Sequence, residues 1–341
     1  MQEFDVAIVG ATGAVGEVMR ELLEERAFPV RQLYLLASER SAGSRLPFKN
    51  GSIKVENLET FDFSKVQIGL FSAGGSISAV YAPKAAAAGC VVIDNTSHFR
   101  RDPKIPLVIP EVNADRLPAF DGKTGCIIAN PNCSTIQMLV ALKPIYDAVG
   151  ITRINVATYQ AVSGAGKRAI ESLASQTAKL LNGQPIEHDV FPQQIAFNAL
   201  PLIGSFEENG YTQEEMKMVW ETRKIFGDEN ILVNPTCVRI PVFYGHSEAV
   251  HIETREPISA ARAKELLANA PGVELIDNRA EPDFPTAVRD AAGTDPVFVG
   301  RVREDISSDR GLNLWIVSDN VRKGAALNSI QIAEVLIKHL Q

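Results

Sequence analysis

The stretch from Phe4 to Leu23 constrains the fold of this chain more than any other. FDVAIVG is a short apolar run, rich in β-branched residues and ending in glycine, and it reads as a buried strand. VGEVMRELLEERAF follows with Val15, Val18, Met19, Leu22 and Leu23 on one helical face. The junction is GATGAVG, with glycines at 10, 13 and 16. Small residues at such a turn let backbone N–H groups approach a pyrophosphate at a helix N-terminus, where the dipole favours negative charge. The spacing is GxxGxxG, not GxGxxG, and a bare tight turn is the alternative. The position between an initial strand and an amphipathic helix favours the nucleotide reading, with Gly10 and Gly13 at the cofactor. Further strands are predicted at 32–37 (QLYLLA), 66–71 (VQIGLF) and 90–94 (CVVID), with a helix at 76–88. This alternation implies an α/β, Rossmann-like, doubly wound and mostly parallel sheet.

The end of the second strand bears on which nucleotide is bound. NAD sites tend to carry an acid there, and NADP sites arginine with small polar groups. The chain reads LLASERSAG, so Ser38, Arg40 and Ser41 suit a 2′-phosphate and favour NADP. Glu39 opposes this if it points inward, and a solvated loop is the bland reading. SAGG after the third main strand offers Ser72 and Gly74 as further cofactor-lining positions.

At 341 residues the chain is long enough for two domains. From about Ile151 the pattern changes. ITRINVATYQAV, TCVRIPVFYG, SEAVHIET, DPVFVGRVRED and LNLWIVSDN read as strands that pair largely antiparallel, and SGAGKRAIESLASQTAKLLNG as a long helix. That is a second α+β domain for substrate and dimerisation, with a sheet able to bear a dimer interface. VRKGAALNSIQIAEVLIKHL (321–340) reads as a helix with an apolar stripe at Ala325, Ile332, Val335 and Leu336. A net charge of −7 gives no reason to expect nucleic acid or an acidic membrane as partner. No apolar run reaches the length of a membrane span, and the N-terminus reads as a strand, so a cytoplasmic enzyme is expected. The four cysteines form no metal-binding spacing, no metal is expected, and their number fits a reducing compartment.

ANPNCSTIQMLVAL (129–142) raises the chemical question. An apolar strand stops at Pro131, and Cys133 stands where a helix begins. Unpaired N–H groups there stabilise a thiolate. Most free cysteines are small buried hydrophobes, and Cys90, Cys126 and Cys237 fit that description. The polar flanks of Cys133 set it apart, yet the residues alone leave a packed thiol and a nucleophile both open. A thiolate nucleophile needs a partner in space. Of the five histidines, His246 in VFYGHSEAVHIET is the best candidate, since it follows a glycine between two apolar runs.

PNCST (131–135), GATGAVG (10–16), DNTSHFRRD (94–102), TYQAVSGAG (158–166), CVRIPVFYGHSE (237–248) and WIVSDNVRKGAALNSIQIAE (315–334) together resemble the bacterial aspartate-β-semialdehyde dehydrogenase family over essentially the whole chain. The resemblance implies a reversible, phosphate-dependent, NADP-linked oxidation of an aldehyde through a cysteine thioester. Its biosynthetic direction is reductive, in the synthesis of lysine, threonine, methionine and diaminopimelate. It implies Cys133 as nucleophile, His246 as acid–base residue and Gln160 as the residue positioning substrate. It implies Arg239 at the substrate α-carboxylate, Arg101 and Lys217 with Asn132 at phosphate, and Glu214 as an acid near the substrate. Thr12, Gly13, Ala14, Val15, Arg40, Ser41, Ser163, Gly164 and Asn320 match cofactor contacts. By composition alone, Arg101 and Lys217 read as surface charges and Gln160 as an ordinary strand residue. The resemblance also returns the last helix to the nucleotide domain, giving 1–130 with 320–341 as NADP domain and 131–319 as catalytic and dimerisation domain, and it implies a homodimer. N-acetyl-γ-glutamyl-phosphate reductase is the nearest enzyme alternative, but its cysteine typically follows glycine and precedes an aromatic residue. A non-catalytic NADP-binding protein of the same fold is the alternative of another class, and the joint presence of Cys133, Gln160, Arg239 and His246 counts against it.

Overall fold

The computed structural model describes residues 2–278, 280–281 and 283–338; His339 and Leu340, at the end of the helix expected over 321–340, and Met1 lie outside it. In chain order the elements are β1 (Phe4–Val9), α1 (Ala14–Glu25), β2 (Val30–Ala37), β3 (Arg45–Phe48), β4 (Gly51–Asn57), β5 (Ile68–Phe71), α2 (Gly75–Ala87), β6 (Val91–Asp94), α3 (Pro110–Asn113) and β7 (Cys126–Ala129). There follow α4 (Cys133–Val149), β8 (Ile151–Gln160), α5 (Lys167–Leu181), α6 (Gln213–Phe226), β9 (Leu232–Arg239), β10 (His246–Thr254), α7 (Ala260–Ala268), β11 (Val273–Leu275), β12 (Val297–Glu304), β13 (Gly311–Ser318) and α8 (Leu327–Lys338). They form two compact units: the described residues of Met1–Asn132 with Ala325–Gln341, and of Cys133–Gly324.

The first unit holds a sheet in the order β3-β4-β2-β1-β5-β6-β7, parallel except for the β3–β4 hairpin at its edge. Every residue of β1 is buried because both faces are covered. Phe4, Val6 and Ile8 pack with Met19, Leu22 and Leu23 of α1 and with Ile330, Ala333 and Ile337 of α8. Ala7 and Val9 point the other way, into a layer with Phe63, Phe71, Ala82 and Ala85. The doubly wound α/β expectation holds. The expected stripe of α8 is corrected: Ile332 and Leu336 are buried with Leu327, Ile330, Ala333 and Ile337, whereas Ala325 and Val335 are only half-buried. A π-helical turn, Arg322–Ala326, precedes α8 and rotates its register away from a single continuous helix.

The second unit holds a mixed sheet in the order β11-β12-β13-β10-β8-β9. β12–β13, β13–β10 and β10–β8 pair antiparallel, and β8–β9 and β11–β12 pair parallel. The strand expected over TCVRIPVFYG ends at Arg239, and the helix expected from SGAG begins at Lys167 after a 3-10 turn over Val162–Ala165. No helix among the described residues is long and apolar enough to cross a membrane.

Within the first unit a buried polar network anchors the chain just before residue 133. Asn328 Nδ2 donates to the Val108 carbonyl at 3.0 Å and to Asn130 Oδ1 at 2.6 Å. Asn130 Nδ2 donates to Asn95 Oδ1 at 2.9 Å, and Arg100 Nε donates to the Asn130 carbonyl at 2.8 Å. A buried network of this kind is costly to break, because each abandoned partner keeps its desolvation penalty. Asn328→Ala is therefore expected to lower unfolding free energy by about 1–3 kcal/mol in urea titration; unchanged stability would show that water replaces the amide.

Candidate active site

Strand register gathers the candidate groups at one end of the second sheet. β8 and β9 run parallel and end together, with Gln160 opposite Arg239. β10 runs antiparallel to β8 and starts where β8 ends, so Ser247 pairs with Tyr159 and His246 lies one step beyond. Gln160, Arg239 and His246, far apart in sequence, are thereby brought together, and all three are buried.

His246 is fully buried. The Ala161 backbone N–H donates to its Nδ1 at 3.0 Å. Nδ1 is thus an acceptor, and the neutral ring carries its proton on Nε2. Nε2 lies 3.4 Å from Gln160 Nε2. Burial first, and then the nearby Arg239 charge, push the His246 pKa down to about 3, against a smaller opposing pull from Glu214. The imidazole is therefore a neutral group with an N–H to offer.

Gln160 is oriented from both sides. Thr158 Oγ1 donates to its Oε1 at 2.9 Å, and its Nε2 donates to Glu214 Oε1 at 3.1 Å. Glu214 Oε2 accepts from Lys217 Nζ at 3.0 Å. Glu214 and Lys217 are three residues apart on α6, one helical turn that puts both on the same face. A capping box fixes the start of that helix, with Thr212 and Glu215 bonded reciprocally, and Glu215 Oε1 also accepts from the Cys237 N–H at 3.0 Å. Arg239 is buried and donates from Nη1 to the Ala161 carbonyl at 2.6 Å. Burial lowers its pKa, countered by the charges of Glu214 and Cys133; a guanidinium nonetheless stays charged.

Cys133 is the first residue of α4 and is half-buried. A Cβ placed on Gly324 would come within 2.7 Å of Cys133 Cβ, so only glycine fits behind the thiol. Cys90 and Cys237 are buried as expected and their thiols are pushed up by burial, whereas Cys126, at the start of β7, is only half-buried, its thiol raised to about 11 by the part that is covered.

Gly164 also belongs here: a Cβ on it would lie 3.1 Å from Arg239 Nη1 and 3.5 Å from His246 Nε2. Ser163 and Asn320 bond each other, and Asn320 Oδ1 accepts from the Gly245 N–H at 3.0 Å, which steadies the residue before His246. Gly245 has φ 88°, and a Cβ there would meet Ala287 at 2.9 Å. The sequence carries no signal for Ala161 or Gly324, and for Gly245 only its place before His246. Ala161 acts through its backbone, which leaves no residue-type signal.

In the first unit, Gly10 has φ 89° and a Cβ on it would lie 2.5 Å from the Ser72 carbonyl oxygen. A Cβ on Gly16 would lie 2.3 Å from the Gly10 carbonyl oxygen. Gly13 is the N-cap of α1, Thr12 and Gly13 are exposed, and Ala14 and Val15 are half-buried. The turn is thus pulled tight and leaves the α1 N-terminus open, which fits a dinucleotide pyrophosphate. Ser38, Glu39 and Arg40 are exposed, and Ser41 is half-buried in the 3-10 turn after β2. Ser72 is half-buried and Gly74, with φ 100°, is exposed at the N-cap of α2. Arg101 is exposed and Asn132 buried.

A histidine with a lowered native pKa stabilises the fold fully above its unfolded value of about 6.5, and that contribution is lost as pH falls toward the native value. Nitrogen-15 NMR of histidine-labelled protein is expected to find His246 neutral and protonated on Nε2 throughout the pH range from 7 down to the native value near 3. Protonation near the ordinary histidine value would contradict the bond from Ala161.

The chain matches two family models: semialdehyde dehydrogenase, NAD binding domain, over residues 5–119, and semialdehyde dehydrogenase, dimerisation domain, over 142–323. It is 64% identical over 337 residues to the aspartate-semialdehyde dehydrogenase of Shewanella violacea, covering 99% of this chain and 98% of that one. The crystal structure of aspartate semialdehyde dehydrogenase II from Vibrio cholerae, complexed with ASA, superposes with a TM-score of 0.96 at 64% identity over 99% of each chain. The aspartate semialdehyde dehydrogenase of Candida albicans with NADP superposes with a TM-score of 0.78 at 25% identity over 99% of each chain.

Proposed function

This chain belongs to the aspartate-semialdehyde dehydrogenase family, and on that premise we propose that it interconverts L-aspartate 4-semialdehyde and L-4-aspartyl phosphate, with NADP and inorganic phosphate, through a thioester on Cys133. The observation that carries the reading is the buried His246–Gln160–Arg239 group, arranged around a neutral imidazole with its Nε2 proton available.

In the oxidative direction the Cys133 thiolate bonds the aldehyde carbon, and the carbonyl oxygen becomes an oxyanion. His246 donates from Nε2–H to that oxygen. With Nδ1 already accepting from Ala161, the acid–base role implied by the resemblance narrows to holding a proton at Nε2 against the developing charge. A preorganised donor of this kind in a dry site is worth far more than in water. Bound NADP supplies the hydride acceptor in this direction and, reduced, the donor in the other. A phosphate oxygen then bonds the acyl carbon, the C–S bond breaks, and the thiolate returns. Arg239 holds the α-carboxylate through its two-pronged guanidinium, and Gln160 orients the substrate at the sulfur. Arg101, Lys217 and Asn132 hold phosphate, with Glu214 setting the position of Lys217 through their ion pair. Gly10, Thr12, Gly13, Ala14 and Val15 hold the pyrophosphate. Ser38, Arg40 and Ser41 hold the 2′-phosphate, and Ser72, Gly74, Ser163, Gly164 and Asn320 complete the cofactor contacts.

The enzyme serves amino-acid synthesis in the cytoplasm, working reductively, as a homodimer. The outward face of the second sheet, with Asn155, Tyr159, His251 and Trp315 only partly covered, supports pairing with a second copy.

The test is a spectrophotometric assay. NADPH formation from aspartate semialdehyde should require phosphate and vanish in Cys133→Ser. Arg239→Lys should lose about 2–5 kcal/mol in kcat/KM for the aldehyde, and His246→Ala about 10²–10³ in kcat. Equal rates with the N-acetyl-glutamyl aldehyde would overturn the substrate assignment.

A further inference from the structure

Two buried side chains beneath the site take no part in this chemistry. Glu248 follows His246 by two residues on β10, so both project to the same face of the sheet, and it is fully buried. Gln137 lies one helical turn beyond Cys133 on α4 and is likewise buried. Gln137 Nε2 donates to the His246 carbonyl at 3.4 Å. Among the described residues, neither Glu248 carboxyl oxygen nor Gln137 Oε1 has a hydrogen-bond partner. Gln137 nevertheless reaches the carbonyl of His246, two residues from Glu248 on the same strand, and its amide acts on the Glu248 carboxyl.

Three neighbouring acceptor atoms without donors make a poor arrangement if the carboxyl is ionised, because an amide oxygen and a carboxylate both only accept. One proton resolves it: a carboxylic acid O–H has an acceptor waiting in Gln137 Oε1. Burial also pushes the Glu248 pKa well above the usual carboxylate range, and the amide only partly offsets that. The strand partners of Glu248 are Thr158 and Ile316, neither of them charged. On β9, opposite Thr158, stands the Cys237 thiol, itself kept neutral by burial.

We propose that Glu248 is a positioning residue: its carboxyl carries a proton and donates it in a hydrogen bond to Gln137 Oε1, tying the strand that bears His246 to the helix that begins with Cys133. Gln137 in turn grips the His246 carbonyl, so the pair fixes the imidazole relative to the thiol from below. The inference rests on the reading of Cys133 and His246 as the reacting pair.

The experiment joins infrared spectroscopy to kinetics. At about pH 8 ordinary carboxyls are ionised, so a wild-type minus Glu248→Gln difference spectrum should contain a protonated-carboxyl band. The amide of Glu248→Gln can make the same donation, and this variant should keep kcat within about threefold, whereas Glu248→Leu should lose about tenfold or more in kcat with KM little changed. Absence of the band, or a Glu248→Leu enzyme as fast as wild type, overturns the proposal. If Glu248→Leu does not fold, the band and the rescue by Glu248→Gln decide. Wild-type enzyme inactive on aspartate semialdehyde would instead refute the functional reading, while the band would still report on the carboxyl.

Discussion

The backbone of one residue organises the candidate site. The N–H of Ala161 holds Nδ1 of His246 at 3.0 Å, and the carbonyl of Ala161 receives Nη1 of Arg239 at 2.6 Å. A single residue at the end of β8 therefore sets both the proton location on the imidazole and the place of the buried cation. A backbone group suits this purpose. It has no rotamers to lose and cannot ionise, so the tautomer it imposes does not drift with pH.

The charges around that residue form a graded set. Arg239 is a cation held where solvent does not reach, and it depresses the proton affinity of the imidazole beside it. Glu214 moderates both groups and is itself shared between Gln160 and Lys217. Removing one member of such a set leaves the others buried without their counterpart, so the effects of substitutions here will not add.

Some of this arrangement was legible in the chain and some was not, for definite reasons. The glycines at 10 and 16 could be read because their job is local: each lets backbone pass close to backbone, and only residue type is needed to see it. Cys133 was legible as the start of a helix because Pro131 stops the strand before it. The grouping of Gln160, Arg239 and His246 had no local signature, since it follows from the pairing register of three distant strands and emerged only through the family resemblance. The apolar run after Arg239 misled for a related reason. Its residues serve as a docking ledge, not a strand: the Val162 and Ser163 N–H groups donate to the carbonyls of Val242 and Phe243, and Val242 packs against Ala287 and Val317. The burial of Glu248 has no local signature either, since it follows from what packs on the face of β10 that it shares with His246.

The discontinuity of the first unit has a bearing on how the molecule is made. Its inner layer is completed by Leu327, Ile330, Ala333, Leu336 and Ile337 of α8, which stand against residues of the first strand and helix. On a ribosome those partners are separated by the synthesis of all of Cys133–Gly324. The intervening unit can finish folding first, while the nascent N-terminal sheet waits with one apolar flank uncovered until the last helix leaves the exit tunnel. During that interval the flank is a natural client surface for chaperones.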